Sequence, residues 1–175
     1  KTADGGFLLA AESQSPAGYD KSENSIYYYD YWVVKINATG EVVWENTIQG
    51  NNLDYLRCII QTQDGGYMLG GKSASSIGYD KNSNTYGDYD YWIVKTDESG
   101  NILWQKVFGG TNDDDLTSMT ITNDGGVLLS GSSRSIVTGN KTAPNLGNYD
   151  LWLIKLTPDF STISGTLYAD LNANT

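Results

Sequence analysis

Asp90-Tyr91-Trp92-Ile93-Val94-Lys95-Thr96 runs through Asp97-Glu98-Ser99-Gly100 into Asn101-Ile102-Leu103-Trp104-Gln105-Lys106-Val107-Phe108. Two apolar runs rich in β-branched and aromatic residues, joined by a short link with a glycine, read as a hairpin. The same stretch stands sixty residues earlier as Asp30-Tyr31-Trp32-Val33-Val34-Lys35, with Gly40 and Trp44 following. Its first half returns sixty residues later as Asp150-Leu151-Trp152-Leu153-Ile154-Lys155. A second landmark keeps the same period: Thr2-Ala3-Asp4-Gly5-Gly6, Thr62-Gln63-Asp64-Gly65-Gly66 and Thr122-Asn123-Asp124-Gly125-Gly126. A fixed period of this length marks one supersecondary unit copied in tandem.

The copy from 54 to 108 is the most complete. Its segments of strand character are 54–62, 67–73, 89–96 and 101–108, each bounded by turn residues, and no helical periodicity competes with them. The links 63–66 and 97–100 are short, and Asp64-Gly65 supplies the positive φ of a tight hairpin. The links 74–88 and 109–114 are longer. Four antiparallel strands in a meander, repeated at this spacing, predict an all-β fold: a β-propeller of four-stranded antiparallel blades, with about three repeats present and an incomplete ring. In an up-and-down blade alternate turns fall at opposite ends. The tight hairpins then share one face, and the long connections share the other, which becomes the candidate binding surface.

The expected layout is blades over 1–158, with a partial first blade, the complete one at 54–108 and a third at 115–158. The pattern fades after Thr157. Gly40 and Gly100 predict a glycine at 160, where Phe160 stands, and Trp44 and Trp104 predict a tryptophan at 164, where Ser164 stands. Lys1 begins one residue before a repeat landmark. Both observations lead us to expect a fragment of a longer protein. Residues 159–175 are open to three readings: a final outer strand, a linker, or the start of a following Ig-like surface module.

The run Asp90-Tyr91-Trp92-Ile93-Val94-Lys95, then Gly100-Asn101-Ile102-Leu103-Trp104, then Gly110 to Asp114, then Asp124-Gly125-Gly126-Val127-Leu128-Leu129, resembles the bacterial seven-bladed-propeller-type repeat. It is particularly similar to the versions in large secreted and surface proteins of Bacteroidetes, many of which carry a signal for type IX secretion. The resemblance covers about residues 2–157 and speaks to fold more than to function. It implies a secreted or cell-surface location, and type IX secretion components as partners in export. Residues 97–104 also approach the Asp-box of sialidases and the tryptophan-docking repeat of quinoprotein dehydrogenases, but the Asp-to-Gly spacing fits neither.

Composition narrows the function. A net charge of −10 disfavours nucleic acid, whose binding rests on Lys and Arg neutralising phosphates, and disfavours anionic lipid. No apolar run is long enough to span a bilayer, so membrane insertion is not expected. The chain has no histidine, which removes the usual general base and the commonest transition-metal ligand. Its one cysteine, Cys58, excludes an intrachain disulfide and reads as a buried, inert thiol.

Residues that recur in register read as construction. Trp32, Trp92, Trp152, Trp44 and Trp104 are expected to fill the wedge between blades. Asp30, Asp90, Asp150, Asp54 and Asp114 are expected to accept backbone N–H bonds where strands begin. The long loops vary and carry the candidate sites. Tyr19, Tyr27, Tyr28, Tyr79 and Tyr86 suit a sugar ring or a protein surface, because they offer flat apolar area with a polar tip; packing on the blade top is the alternative. Asp80, Asn82 and Asn84 place oxygen-bearing side chains at every second position, as a Ca²⁺ loop would; an ordinary solvated turn is the alternative. Asp113 and Asp115, flanking Asp114, are the carboxylates that glycosidase chemistry would need. The expected function is a non-catalytic secreted or cell-surface module for protein or glycan recognition or scaffolding, part of a larger type IX cargo or adhesin. The rivals are a propeller carbohydrate-active enzyme and a self-assembling structural spacer.

Overall fold

The computed structural model describes residues 1–26 and 28–160, and the backbone at 163–164. Among these residues the fold is all-β and contains no helix. The first sheet holds β1 (Phe7–Ser13), β2 (Asp30–Ile36) and β3 (Val42–Ile48). The second holds β4 (Asp54–Gln61), β5 (Tyr67–Ser73), β6 (Asp90–Thr96) and β7 (Ile102–Phe108). The third holds β8 (Asp114–Ile121), β9 (Val127–Ser133), β10 (Asp150–Leu156) and β11 (Ile163–Ser164). Every pairing is antiparallel and follows chain order, so each sheet is a meander. The four segments read from the middle copy are the four strands of the second sheet, to within a residue at their ends. Ile163–Ser164 pairs with Leu156 and Lys155 in the place of a fourth strand. The linker and following-module readings concern residues 165–175, which lie outside the described residues.

The Asp-Gly-Gly turns share one build in all three sheets. Gly65 sits at φ +84°, Thr62 N–H donates to Gly66 O (2.9 Å), and Asp64 Oδ1 accepts from Thr62 Oγ1 (2.6 Å) and Gly66 N (3.1 Å). The Lys95 ammonium, buried at the end of β6, reaches both Asp64 (2.9 Å) and Thr96 O (2.8 Å). Lys35 meets Asp4 at 2.8 Å and Lys155 meets Asp124 at 2.6 Å in the same way. The recurring lysine is therefore the clasp of the recurring Asp-Gly-Gly turn.

The sheets stack face to face through two apolar cores. One joins Tyr31, Val33 and Ile48 of the first sheet to Leu56, Leu69, Trp92, Val94 and Val107 of the second. The other joins Met68, Tyr91, Ile93 and Phe108 to Leu116, Met119, Val127, Leu129, Trp152, Ile154 and Leu156 of the third. One contact carries the rule of packing. Tyr31 lies on Trp92 with ring centroids 4.9 Å apart at 39°, and its hydroxyl donates to Trp92 O (3.3 Å). Tyr91 lies on Trp152 at the same distance and angle, donating to Trp152 O (3.2 Å). Tilted aromatic pairs of this kind contribute about 0.5–1.5 kcal/mol beyond their burial.

The outer tryptophans finish each interface. Trp44 Nε1 donates to Glu98 O (3.1 Å), and its ring lies where a Cβ on Gly100 would be, 3.0 Å away. Gly100 also needs its positive φ of +85°. In the third sheet Phe160 takes that turn position without glycine's freedom. It still adopts φ +53°, and its ring packs on Trp104 at 5.7 Å.

Candidate functional site

The long links, 14–29, 74–89 and 134–149, gather at the end of the sheets opposite the tight turns, with the β3–β4 and β7–β8 links beside them. Buried carboxylates organise this end. Asp54 Oδ2 accepts from Gly50 N (2.9 Å) and Ser75 Oγ (2.9 Å), and Ser75 Oγ accepts from Asn52 N (2.8 Å). Asp114 repeats the arrangement with Gly110 N (2.8 Å) and Ser135 Oγ (2.8 Å). Asp90 Oδ2 accepts from Tyr86 N and from Gly87 N (3.4 Å), and Asp150 Oδ2 from Leu146 N and Gly147 N (3.2 Å). The recurring aspartates thus hold the backbone where strands begin.

The same aspartates meet across the sheet boundaries. Asp54 N–H donates to Tyr29 O (2.8 Å) and Asp114 N–H to Tyr89 O (2.6 Å), which brings Asp54 beside Asp30 and Asp114 beside Asp90. Asp30 Oδ2, Asp54 Oδ1, Asp90 Oδ1 and Asp114 Oδ1 are buried without a hydrogen-bond donor among the described residues. Burial, with the facing Asp114 carboxyl adding to it, pushes Asp90 up to about 7. Burial and the charge of Asp54 push Asp30 up to about 7, and burial raises Asp54 to about 6. Two carboxyls facing each other out of water hold a proton between them more readily than two charges.

A lysine sits inside each long loop. Lys81 is 1% exposed, donates to Ser83 O (2.6 Å) and lies 5.7 Å from the Trp92 ring centroid. Lys141 donates to Ser135 O and Ala143 O (both 2.8 Å) and faces Trp152 at 5.8 Å. Lys21 donates to Glu23 O. Burial pulls Lys81 down to about 8, against the attraction of Asp54 and Asp90.

This geometry bears on the residues expected to bind calcium. Asp80 Oδ2 accepts from Gln49 N and Asp80 N donates to Gln49 O (both 3.0 Å), which clamps the loop onto the preceding sheet. Asn84 Oδ1 accepts from Ile77 N (2.9 Å), and Asn82 is exposed. The loop closes around the Lys81 ammonium, a cation of its own. Among the described residues no group of three His, Cys, Asp or Glu gathers. Sequence reading passed over Lys21, Lys81 and Lys141, although they keep the sixty-residue period more faithfully than the acid beside them, which becomes Asn140 in the third copy.

The expected tyrosines separate. Tyr19, Tyr28, Tyr79 and Tyr86 are exposed at this end; Tyr27 lies outside the described residues. Tyr19 and Tyr79 occupy the tips of two-residue turns closed by Gly18–Lys21 and Gly78–Lys81 bridges, at φ +55° and +53°. Gly139 fills that position in the third loop at φ +60°. Part of Tyr86 is packing, for its Cβ and ring lie about 3 Å from where a Cβ on Gly139 would stand.

The expected carboxylates stand apart. Asp113 precedes β8 and faces Arg134 (3.7 Å). Asp115 lies on β8, bonded to Lys72 (2.5 Å) and near Arg57 (3.8 Å), which also binds Glu12 of the first sheet (2.5 Å). These ions flank a tyrosine row that sequence reading missed: Tyr29–Tyr55 at 5.6 Å and Tyr55–Tyr89 at 6.0 Å, with Lys72 over Tyr89 at 5.0 Å. Its signal was the recurrence of tyrosine at 29, 89 and 149. Cys58 donates weakly to Gly70 O (3.6 Å), and burial pushes its thiol up to about 12. No family model matches the chain, and no curated protein matches it.

Proposed function

We propose that the three sheets are successive blades of a β-propeller, and that the chain is a non-catalytic recognition or scaffold module of a secreted or cell-surface protein. It engages a protein or a glycan through the end that carries the long loops. The meander order and the face-to-face stacking of sixty-residue units support the propeller reading. The resemblance of the repeat to those of secreted and surface proteins supports the location.

The observation that carries the binding reading is the state of Tyr19 and Tyr79. Both are bulky residues held in the left-handed region, at a cost of about 1–2 kcal/mol each against a glycine. Tyr19 stands fully exposed, and Tyr79 is 52% exposed. Strain kept at an exposed aromatic is the mark of a residue retained for contact. Asp54, Asp80, Asp90, Asp114 and Asp150 are bound to backbone N–H groups or serines, and Asp113 and Asp115 to basic side chains, so these carboxylates serve as framework. A panel of immobilised glycans and a pull-down against intact bacterial surface extract test this. Binding lost in Tyr19→Ala with Tyr79→Ala, at unchanged thermal stability or better, is the expected result. Capture that ignores both substitutions, or no capture at all, would sink the reading.

A further inference from the structure

The second long loop is flanked on both sides within the chain. Asp80 clamps it to the β3–β4 link through Gln49. The third loop lies against its other side, where a Cβ on Gly139 would stand 2.8 Å from the Tyr86 ring. Three large apolar side chains of this loop stay bare even so: Ile77 is 58%, Tyr79 52% and Tyr86 49% exposed. The sheets stack face to face, so a further repeat would meet an outer sheet face and not this end. The third loop repeats the feature in register. Val137 stands sixty residues after Ile77 and is 56% exposed. The fold does not require bulk at that position, because the first loop carries Ala17 there. Large apolar side chains kept bare where the repeat manages with alanine mark a contact surface.

The kind of side chain and the charge narrow the occupant. A sugar ring stacks on the flat face of an aromatic, and its hydroxyls need polar partners. Branched aliphatics such as Ile77 and Val137 offer neither, but they match the apolar side chains of a protein. The charge at this end is one-sided. Lys21, Lys81 and Lys141 are buried inside their loops. The basic side chains nearer the surface are taken: Lys72 by Asp115 (2.5 Å), Arg57 by Glu12 (2.5 Å) and Arg134 by Asp113 (3.7 Å). Glu23 and Asp88 stay exposed.

We propose that the loop end docks a protein through a segment that is both apolar and basic. The apolar side chains of that segment seat on Ile77, Tyr79, Tyr86 and Val137, and its lysines or arginines meet Glu23 and Asp88. Like charge turns an acidic segment away. The inference rests on the reading of this end as the binding end, and it narrows the partner from a protein or a glycan to a protein.

Fluorescence anisotropy of short labelled peptides against the whole chain tests it, with the glycan panel run beside them. One peptide is built of leucine and lysine, a second of leucine and glutamate, a third of serine and lysine. The first binds, and each of the others binds at least about tenfold more weakly. Ile77→Ser with Val137→Ser leaves the charge unchanged and weakens the first peptide about tenfold, at unchanged thermal unfolding. Leu103→Ser alters an exposed apolar position beside the tight turn at the opposite end and changes nothing. Glu23→Gln with Asp88→Asn weakens binding and flattens its dependence on salt. No binding of the leucine–lysine peptide, binding indifferent to the paired serine substitutions, or equal binding of either other peptide overturns the inference. A glycan captured through Tyr79 with no peptide bound overturns it as well, yet leaves the binding end in place. Silence from peptides, glycans and surface extract alike removes both.

Discussion

Raising the pH from 5 to 7.5 will destabilise this protein, and Asp90→Asn will remove much of that effect. The reason lies at the boundary of the second and third sheets. Asp90 and Asp114 face each other there out of water, each with an oxygen that lacks a donor among the described residues. The folded state holds a proton that the unfolded chain releases near the ordinary carboxylate value of 3.8. A folded value of about 7 against 3.8, at about 1.4 kcal/mol per unit, makes this proton worth on the order of 4 kcal/mol. The sign follows from the raised value. The contribution is complete below about pH 4, declines as pH rises, and is gone above about 7.

The Asp30–Asp54 boundary acts in the same direction, and the sequence has no histidine to titrate in this window. Two other sets of groups frame it. Asp4, Asp64 and Asp124 are held below the ordinary range, chiefly by their lysine and threonine partners in Asp4 and Asp124, and their support is lost only as pH falls through those lowered values. Lys81, lowered to about 8 by burial, sheds its proton earlier in the fold than in the unfolded chain, so its contribution rises between about 8 and 10.5, opposed above about 9 by Cys58, whose buried thiol is pushed up to about 12. Urea unfolding followed by tryptophan fluorescence should therefore show a maximum near pH 4–5 and a trough near pH 7–8. In Asp90→Asn the amide donates permanently to Asp114 Oδ1, and the fall between pH 5 and 7.5 shrinks by about half. A wild-type stability that is flat or rising across that interval would refute the reasoning, as would an Asp90→Asn slope equal to the wild type's.

Trp92→Ala opens the first interface beneath Tyr31 and should cost about 3–5 kcal/mol in urea unfolding. Gly109→Ala places a Cβ 1.7 Å from Asp90 Oδ1, so it must displace that carboxyl. A loss of at least about 1–3 kcal/mol, with a weakened pH dependence, is the expected outcome of the same titration. Tyr19→Gly relieves a left-handed residue in the turn that Gly139 already occupies in the third loop. It should raise stability by about 0.5–1 kcal/mol in thermal unfolding while reducing any capture at the loop end.

The strands were legible because their causes are local. β-branched and aromatic runs, Asp-Gly turns and short glycine links act within a few residues, and three copies in register separate signal from chance. The buried roles of the aspartates and of Trp92 and Trp152 were legible for the same reason, since a residue kept at each repeat is kept for the unit. The candidate site was less so. Alternating oxygens in 80–84 suggest a calcium loop, but the sequence does not give the direction of each side chain. Folded, Asp80 turns to Gln49 in the preceding sheet and Lys81 turns inward. Asp113 and Asp115 are two apart in sequence, but Asp113 precedes β8 and meets Arg134 whereas Asp115 lies on the strand and meets Lys72, so each finds its own basic partner.

The sequence by itself determined the unit: its four strands, its two tight turns, and which residues recur to build it. Only the tertiary structure decided what happens between units. Tyr31 on Trp92, the Asp90–Asp114 pair and the tyrosine row from 29 to 89 all depend on residues from different copies meeting in space. The physical reason is that a period records that each unit is alike, whereas burial and proton sharing depend on whether a neighbour stands against it.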